Sequence, residues 1–348
     1  MTKVLLIQGQ IPEYRVPIFN KLAEKVDLTL LYSEGNLPVG VNFKTIKIPT
    51  FKLRYNIHKK NIYFLAQNYD VVICMMDFSY LYFRFLYLLP HKYKLIYWGI
   101  GVSASYNERY DNNPAIVEKC SGIINKTDAA IFYSQYPTSK YAALGVPEDK
   151  LFVANNTVRV DELPDLEKDS FLFVGSLYKQ KKIEVLLEAY LEAYKKNRDI
   201  HKLVVIGGGD QYDAIDQWIR ENGLEGKIVL TGAIFDEAIL KEYFAKAFLC
   251  ISPDQAGLSV LKSMGYGVPF VTHKDAITGG EIFNIKNGEN GILLDSFDEI
   301  ENILTDCTVN PGVYLDMGVE AKKHYDTYRT VDHMVSGFVD AVEYVMNK

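Results

Sequence analysis

The sequence predicts an α/β protein made of two parallel-sheet domains of similar size. Short apolar runs alternate with helical or polar stretches, a polar acidic break interrupts that alternation midway, and the 348 residues suffice for two cores. The runs VLLI (4–7), LTLLY (28–32), VVICM (71–75), KLIYW (94–98) and AAIFY (129–133) read as buried parallel strands of a first sheet. The break is DELPDLEKDS (161–170), with Pro164 inside it. The pattern then restarts with FLFVG (171–175), LVVIG (203–207), KIVLTG (227–232), FLCIS (248–252), PFVT (269–272) and GILL (291–294). Residues 182–196 place Ile183, Leu186, Leu187, Tyr190, Leu191 and Tyr194 at helical spacing, and 213–222 and 237–247 behave similarly. The expected division is 1–165, then 166–329, with a last helix over 330–348 that closes the second domain or crosses back onto the first. Ligands of such sheets bind outside the carboxyl ends of the strands, so two facing domains imply a central cleft.

Charge is uneven. The net charge is −6, but residues 1–165 carry 19 Lys and Arg against 15 Asp and Glu. Within 51–100 seven basic residues face only two acidic ones, interleaved with aromatics in FKLRYNIHKKNIYF, FSYLYFRF and HKYKLIYW. Such a face suits an anionic membrane surface or a lipid-linked diphosphate; its plainer reading is a solvated face over a Tyr-rich core. The acidic whole and the lack of a nucleic-acid motif argue against nucleic acid. No apolar stretch reaches bilayer-spanning length, no signal-peptide cleavage pattern follows the first strand, and four scattered cysteines fit reduced thiols. The expected location is cytoplasmic, with peripheral attachment to the inner membrane face as its extension. The six histidines show no metal-ligand spacing, so no metal and no cofactor are expected.

Residues 252–291 carry the most chemistry: SPDQAGLSVLKSMGYGVPFVTHKDAITGGEIFNIKNGENG. Asp254 ends an apolar strand, a small-residue loop follows, and a helix runs from near Gly257 to the Gly267-Val268-Pro269 stop. A helix start at the carboxyl end of a parallel strand offers unpaired N–H groups and partial positive charge, a site for an anion such as a diphosphate. Asp254 beside it suits hydroxyls of a group attached to that anion. A nucleotide sugar has both halves.

Taken with VGSLYKQKKIEVLLEAY, LVVIGGGD and IVLTGAIFDEAILKEYFAKA, and with IPEYRVPIFNKL and DAAIFYSQYPTSKYAALGVPEDKLFVANNTV in the first half, the chain resembles a GT-B glycosyltransferase of family 4. The resemblance implies two Rossmann-like domains facing a cleft, with the nucleotide-sugar donor on the second and the acceptor on the first. It also implies sugar transfer with retention and without a required metal. A glycan acceptor, free or carried on polyprenyl diphosphate in bacterial surface polysaccharide assembly, is the expected partner.

The resemblance assigns Lys181 to the diphosphate, where an ammonium offsets charge developing on the leaving group. Family members often carry Arg where Ser176 stands, so one cationic contact is missing, with Lys179 or Arg15 as substitutes. Asp254 takes the first acidic position of the family's E-x7-E motif and orients the transferred sugar; its plainer reading is a helix cap. The backbones of Gln255, Ala256, Gly257, Leu258 and Ser259 are expected to face the phosphates. Lys262 stands where the second Glu falls; it donates and does not accept, and Glu281 in the Gly279-Gly280-Glu281 loop is the substitute carboxylate. Gly208 shapes the cleft wall, and Ala233 and Ile234 line the nucleobase pocket.

In the first domain Gly9 follows the first strand, and Arg15 meets donor phosphate or an anionic acceptor. Tyr14, Arg54, Trp98 and Gly99 are expected on the acceptor side. Asp77 is the carboxylate placed to orient an acceptor hydroxyl, or a cap. No histidine base is assigned; Ile100 stands nearest the place where many relatives carry one. A nucleotide-sugar epimerase, a phosphorylase and a non-catalytic glycan-binding pseudoenzyme share the fold. The joint departures at Ser176, Ile100 and Lys262 keep the last in play.

Overall fold

The computed structural model describes residues 1–105 and 109–348, which form two compact units. The first consists of Met1–Ala104, Asp111–Arg159 and Arg329–Lys348. Its strands are β1 (Lys3–Ile7), β2 (Asp27–Tyr32), β3 (Lys44–Lys47), β4 (Thr50–Lys52), β5 (Asn56–His58), β6 (Val71–Met75), β7 (Lys94–Gly99), β8 (Ala129–Phe132) and β9 (Leu151–Val153). Seven make one parallel sheet in the order β3-β2-β1-β6-β7-β8-β9, while β4 and β5 form a separate antiparallel hairpin. Its helices are α1 (Val16–Ala23), α2 (Ile62–Ala66), α3 (Leu81–Phe85), α4 (Pro114–Ile124) and α5 (Tyr136–Ala143).

The central strands are buried on both faces, which is why their sequences are continuous apolar runs rather than alternating ones. One face packs Phe19, Leu22 and Trp98 with Met334, Phe338 and Val342; the other packs Leu5, Ile7, Phe83 and Tyr97. The last helix of the chain (Val331–Met346) therefore belongs to the first core. It starts with Thr330 and His333 capping each other's backbone groups. At Gly337 a methyl group would lie 2.2 Å from the Val153 carbonyl oxygen, so only a glycine lets the helix reach β9.

The second unit holds Val160–Tyr328, and Ser105, Arg109 and Tyr110 group with it. Its strands are β10 (Ser170–Val174), β11 (Lys202–Ile206), β12 (Ile228–Gly232), β13 (Ala247–Ile251), β14 (Gln255–Ala256), β15 (Phe270–His273), β16 (Ile277–Thr278) and β17 (Gly291–Leu294). The parallel sheet runs β12-β11-β10-β13-β15-β17. The helices are α6 (Ile183–Lys196), α7 (Tyr212–Glu221), α8 (Glu237–Lys246), α9 (Leu258–Gly265), α10 (Glu299–Val309) and α11 (Pro311–Tyr328), so the closing helix of the first unit is α12. The passage between units falls at Arg159–Val160, just ahead of the polar stretch 161–170 and earlier than the expected division after 165, because Val160 and Leu163 already pack on the second core.

Candidate active site

The carboxyl ends of β10 and β13 in the second unit gather three loops. The first, 175–182, leaves β10 through Gly175 and closes in a single 3-10 turn, Lys179–Lys181. Its path is fixed by the glycines that follow the neighbouring strand, β11. A methyl group on Gly207 would fall 2.0 Å from the Gly175 carbonyl oxygen, and the Leu177 N–H donates to the Gly208 carbonyl at 2.9 Å. The 207–209 glycines thus seat this loop, and the Gly208 position faces Ala233, a methyl there being 3.5 Å from the Ala233 Cβ.

Lys181 turns back over Gly175. A methyl on that glycine would stand 3.0 Å from the Lys181 Nζ. Lys181 is only 6 % exposed, yet among the described residues no carboxylate and no hydrogen-bond acceptor pairs with its ammonium. Burial pushes its pKa down to about 8, against an opposing pull from Cys250. A buried cation without a counter-charge is costly in a protein interior unless an anion completes it.

The second loop, 252–258, follows β13. Asp254 is buried, and its Oδ2 lies 2.7 Å from the Lys182 Nζ. Lys182 takes the left-handed backbone conformation (φ 51°, ψ 43°), which a residue with a side chain adopts at a cost. The Tyr178 hydroxyl donates to the Gln255 Oε1 at 2.6 Å, so two contacts clamp the 175–182 loop to this one. Gln255 and Ala256 were expected to turn their backbones to phosphates. They form β14 instead, paired in parallel with β16, and this ladder draws their backbone groups toward Ile277 and Thr278. The helix start that remains is Gly257, Leu258 and Ser259: α9 begins at Leu258, its cap residue Gly257 has no side chain to satisfy the first N–H groups, and open space lies in front of that glycine.

The third loop, 278–281, is braced by Glu281. Its buried carboxylate accepts the Gly279 N–H at 2.9 Å, and the Thr278 hydroxyl donates to the same oxygen at 3.4 Å. Gly280 takes a positive φ of 112° to open the short helix that follows. Lys262, on α9, is not an exposed helix residue. Its ammonium meets the Glu237 Oε2 at 2.5 Å, and the Tyr266 hydroxyl donates to the other Glu237 oxygen. Glu237, Tyr178 and Lys182 escaped the sequence reading. Nothing in the periodicity marks them, and the one available signal was the run of cations at 179–182. Ser176 and Ala233 are exposed and Ile234 half-buried on the second core.

In the first unit Arg15 is buried at the start of α1. Its Cζ sits 4.3 Å above the Trp98 ring; Nε donates to the Tyr14 hydroxyl at 3.0 Å and Nη2 to the Tyr133 hydroxyl at 2.7 Å, while the buried Nη1 has no acceptor among the described residues. Trp98 corrects the expectation of an acceptor contact: it has no exposed surface, because β7 is a central strand and Phe19 and Phe338 cover that face. Gly99 is likewise buried, against Met76. A methyl on Gly9 would meet the Tyr80 hydroxyl at 2.6 Å, so this glycine admits a tyrosine rather than standing open. One Asp77 oxygen accepts the Ser79 N–H at 2.9 Å and closes the turn after β6, at the edge of an apolar pocket lined by Met76, Phe78, Phe83 and Tyr97. Arg54 is exposed on the β4–β5 hairpin. Among the described residues no three His, Cys, Asp or Glu side chains gather as a metal site requires, and no helix is long and apolar enough to cross a membrane.

Residues 168–307 match the family described as glycosyl transferases group 1. Along 336 residues the chain is 21 % identical to an uncharacterized glycosyltransferase of Haemophilus influenzae, covering 90 % of each. It is 24 % identical to the alpha-D-kanosaminyltransferase of Streptomyces kanamyceticus over 63 % of this chain and 59 % of that one. Among solved structures, Anabaena HepE in complex with UDP and glucose superposes with a TM-score of 0.74 at 13 % identity, covering 99 % of this chain and 100 % of that one. The pneumococcal O-GlcNAc transferase GtfA in complex with UDP and GlcNAc gives 0.70 at 12 % identity, over 100 % and 99 %.

Proposed function

We propose that this chain, a glycosyltransferase of the GT-B fold with a group 1 module over residues 168–307, moves a sugar from a nucleotide-sugar donor to a glycan acceptor with retention of anomeric configuration. The observation that carries this reading is Lys181: a buried ammonium, without a counter-charge among the described residues, on a loop clamped beside the start of α9. The HepE and GtfA complexes, which contain UDP and a sugar, support a uridine nucleotide as donor.

In this reading the diphosphate lies between the Lys181 ammonium and the free N–H groups of Gly257, Leu258 and Ser259. As the bond from the sugar's anomeric carbon to the diphosphate oxygen breaks, negative charge grows on that oxygen, and the preorganised cation and amide dipoles stabilise it. The acceptor hydroxyl attacks from the same face and its proton passes to the departing phosphate, so no histidine base is needed. Asp254 receives sugar hydroxyls, and Glu281 holds the 278–281 loop in shape. No step calls for a metal.

The test is release of nucleoside diphosphate from a panel of UDP- and GDP-sugars with and without acceptor glycan. Turnover that requires both substrates is the expected result. Tight donor binding without turnover by the intact chain would instead identify a glycan-binding relative that has lost catalysis.

The acceptor reading extends to a lipid-linked glycan of a bacterial surface polysaccharide, met at the inner face of the membrane. What supports it is the first unit's surface over residues 51–92, where Phe51, Leu53, Phe64, Phe85, Leu88 and Leu89 are exposed among the exposed Lys52, Arg54, Lys59, Lys60 and Lys92. Arg84 stacks 4.4 Å over Tyr55, and the Tyr63 hydroxyl donates to the Pro90 carbonyl, tying hairpin, α2 and α3 together. Apolar side chains within a basic field suit an anionic bilayer. Flotation with phosphatidylglycerol vesicles at low salt, lost at high salt, is expected; no flotation at low salt rejects this part alone.

A further inference from the structure

The diphosphate of a nucleotide sugar carries one negative charge on each phosphate, whereas the site built so far offers one cation, Lys181. The next ammonium along the chain is unusual in two independent ways. Lys182 is one of two non-glycine residues with positive φ among the described residues, Asp111 being the other. Its Nζ is also held at 2.7 Å by Asp254, the carboxylate read as the sugar's own partner. A left-handed backbone at an element terminus persists where the surroundings impose it, and such positions concentrate at ligand clamps. Glycine would take this conformation without strain. With its ammonium on Asp254, Lys182 neutralises the group that should receive sugar hydroxyls.

We propose that Lys182 is a second phosphate-binding cation that exchanges partners: donor binding transfers its ammonium from Asp254 to the diphosphate, and the same movement frees Asp254 to accept hydroxyls of the sugar. The inference rests on the nucleotide-sugar reading. It goes further by making sugar recognition conditional on the diphosphate. A free sugar meets an Asp254 already occupied, whereas a sugar attached to a diphosphate brings the anion that vacates it. It also accounts for the missing basic residue at Ser176, since the second cation comes from the far end of the same loop. Lys182 keeps enough freedom for the exchange: its side chain is 38 % exposed, while that of Asp254 is 11 % exposed.

Calorimetric binding of UDP, UMP and GDP to the full chain tests this. Lys182→Gly relieves the backbone strain, which offsets the ion pair it loses with Asp254, so it should still fold, yet bind UDP roughly tenfold or more weakly, the scale of one charge-assisted hydrogen bond. UMP, with a single phosphate, should be little affected. Asp254→Asn removes the competing carboxylate and should tighten UDP while abolishing turnover of the UDP-sugar. These opposite signs set the exchange apart from a merely structural ion pair, for which both variants weaken binding together or leave it unchanged. Wild-type affinity for UDP in Lys182→Gly overturns the exchange and leaves sugar transfer standing. Failure of the wild type to bind either UDP or GDP overturns both.

Discussion

Lys262 and Glu237 form an ion pair at 2.5 Å between α9 and the first turn of α8, with Tyr266 donating to the second Glu237 oxygen. The site therefore contains a lysine where the resemblance expects a carboxylate, and a carboxylate from another helix directly against it. Tying Lys262 down gives it a structural duty. Lys262→Ala should lower stability by about 1 kcal/mol in urea unfolding, the scale of a partly exposed pair, and change kcat by only a few-fold. Lys262→Glu should do worse, because two carboxylates then face each other, and Lys262→Glu with Glu237→Gln should recover most of the loss.

Lys181 carries an opposition between folding and function. Its ammonium is buried without a counter-charge, so Lys181→Met should raise stability, by on the order of 2 kcal/mol near neutral pH. The same change should cut turnover by roughly a hundredfold or more, the loss of about 3 kcal/mol of preorganised stabilisation. A chemical melt and a nucleotide-release assay on one preparation read both. Near-normal turnover in a folded Lys181→Met chain would remove the mechanism.

The same lysine sets a pH dependence with a definite sign. Burial lowers its pKa from 10.5 to about 8. Below about 8 it is protonated in folded and unfolded chains alike and contributes no slope. Between about 8 and 10.5 the unfolded chain binds the proton and the folded chain has released it, so this group makes stability rise with pH in that window. A bound diphosphate favours the charged form. Its affinity should therefore fall above about pH 8, by at most roughly tenfold per unit, with protons taken up on binding. Calorimetry at pH 8.5 in two buffers of different ionisation enthalpy measures that uptake, and Lys181→Met should abolish it.

Gly337→Ala tests the contact between α12 and the first sheet. The added methyl would stand 2.2 Å from the Val153 carbonyl oxygen and 2.7 Å from the Ala154 Cα, both backbone atoms that cannot rotate away. A loss of about 2–3 kcal/mol is expected in thermal or urea unfolding. Gly312→Ala is the control, since nothing lies within 4 Å of a methyl there.

Much of this architecture is legible in the sequence because fully buried parallel strands must be apolar throughout: FLFV, LVVI and FLCI announce β10, β11 and β13. The short strands β3 and β9 do not, since KTIK and LFV are brief and only partly buried. The strands β14 and β16 are two residues each and exist only because two loops meet, which local pattern does not record. The site divides the same way. Lys181, Asp254 and the α9 start follow from local order along the chain. The Lys182–Asp254 and Glu237–Lys262 pairs depend on loops and helices that meet in space. Trp98 departs from its sequence expectation because a strand end reads as open, whereas Phe19 of α1 and Phe338 of α12 cover it.

The return of α12 to the first core has a consequence for cooperativity. Met334, Phe338 and Val342 pack into that core, so Phe19 and Trp98 are fully covered only when a segment far along the chain docks against them. The body of the second unit, Val160–Tyr328, lies between the two contributions. Closing the first core therefore carries the entropy of a long loop, and the strands before Val160 and the helix after Tyr328 must order together.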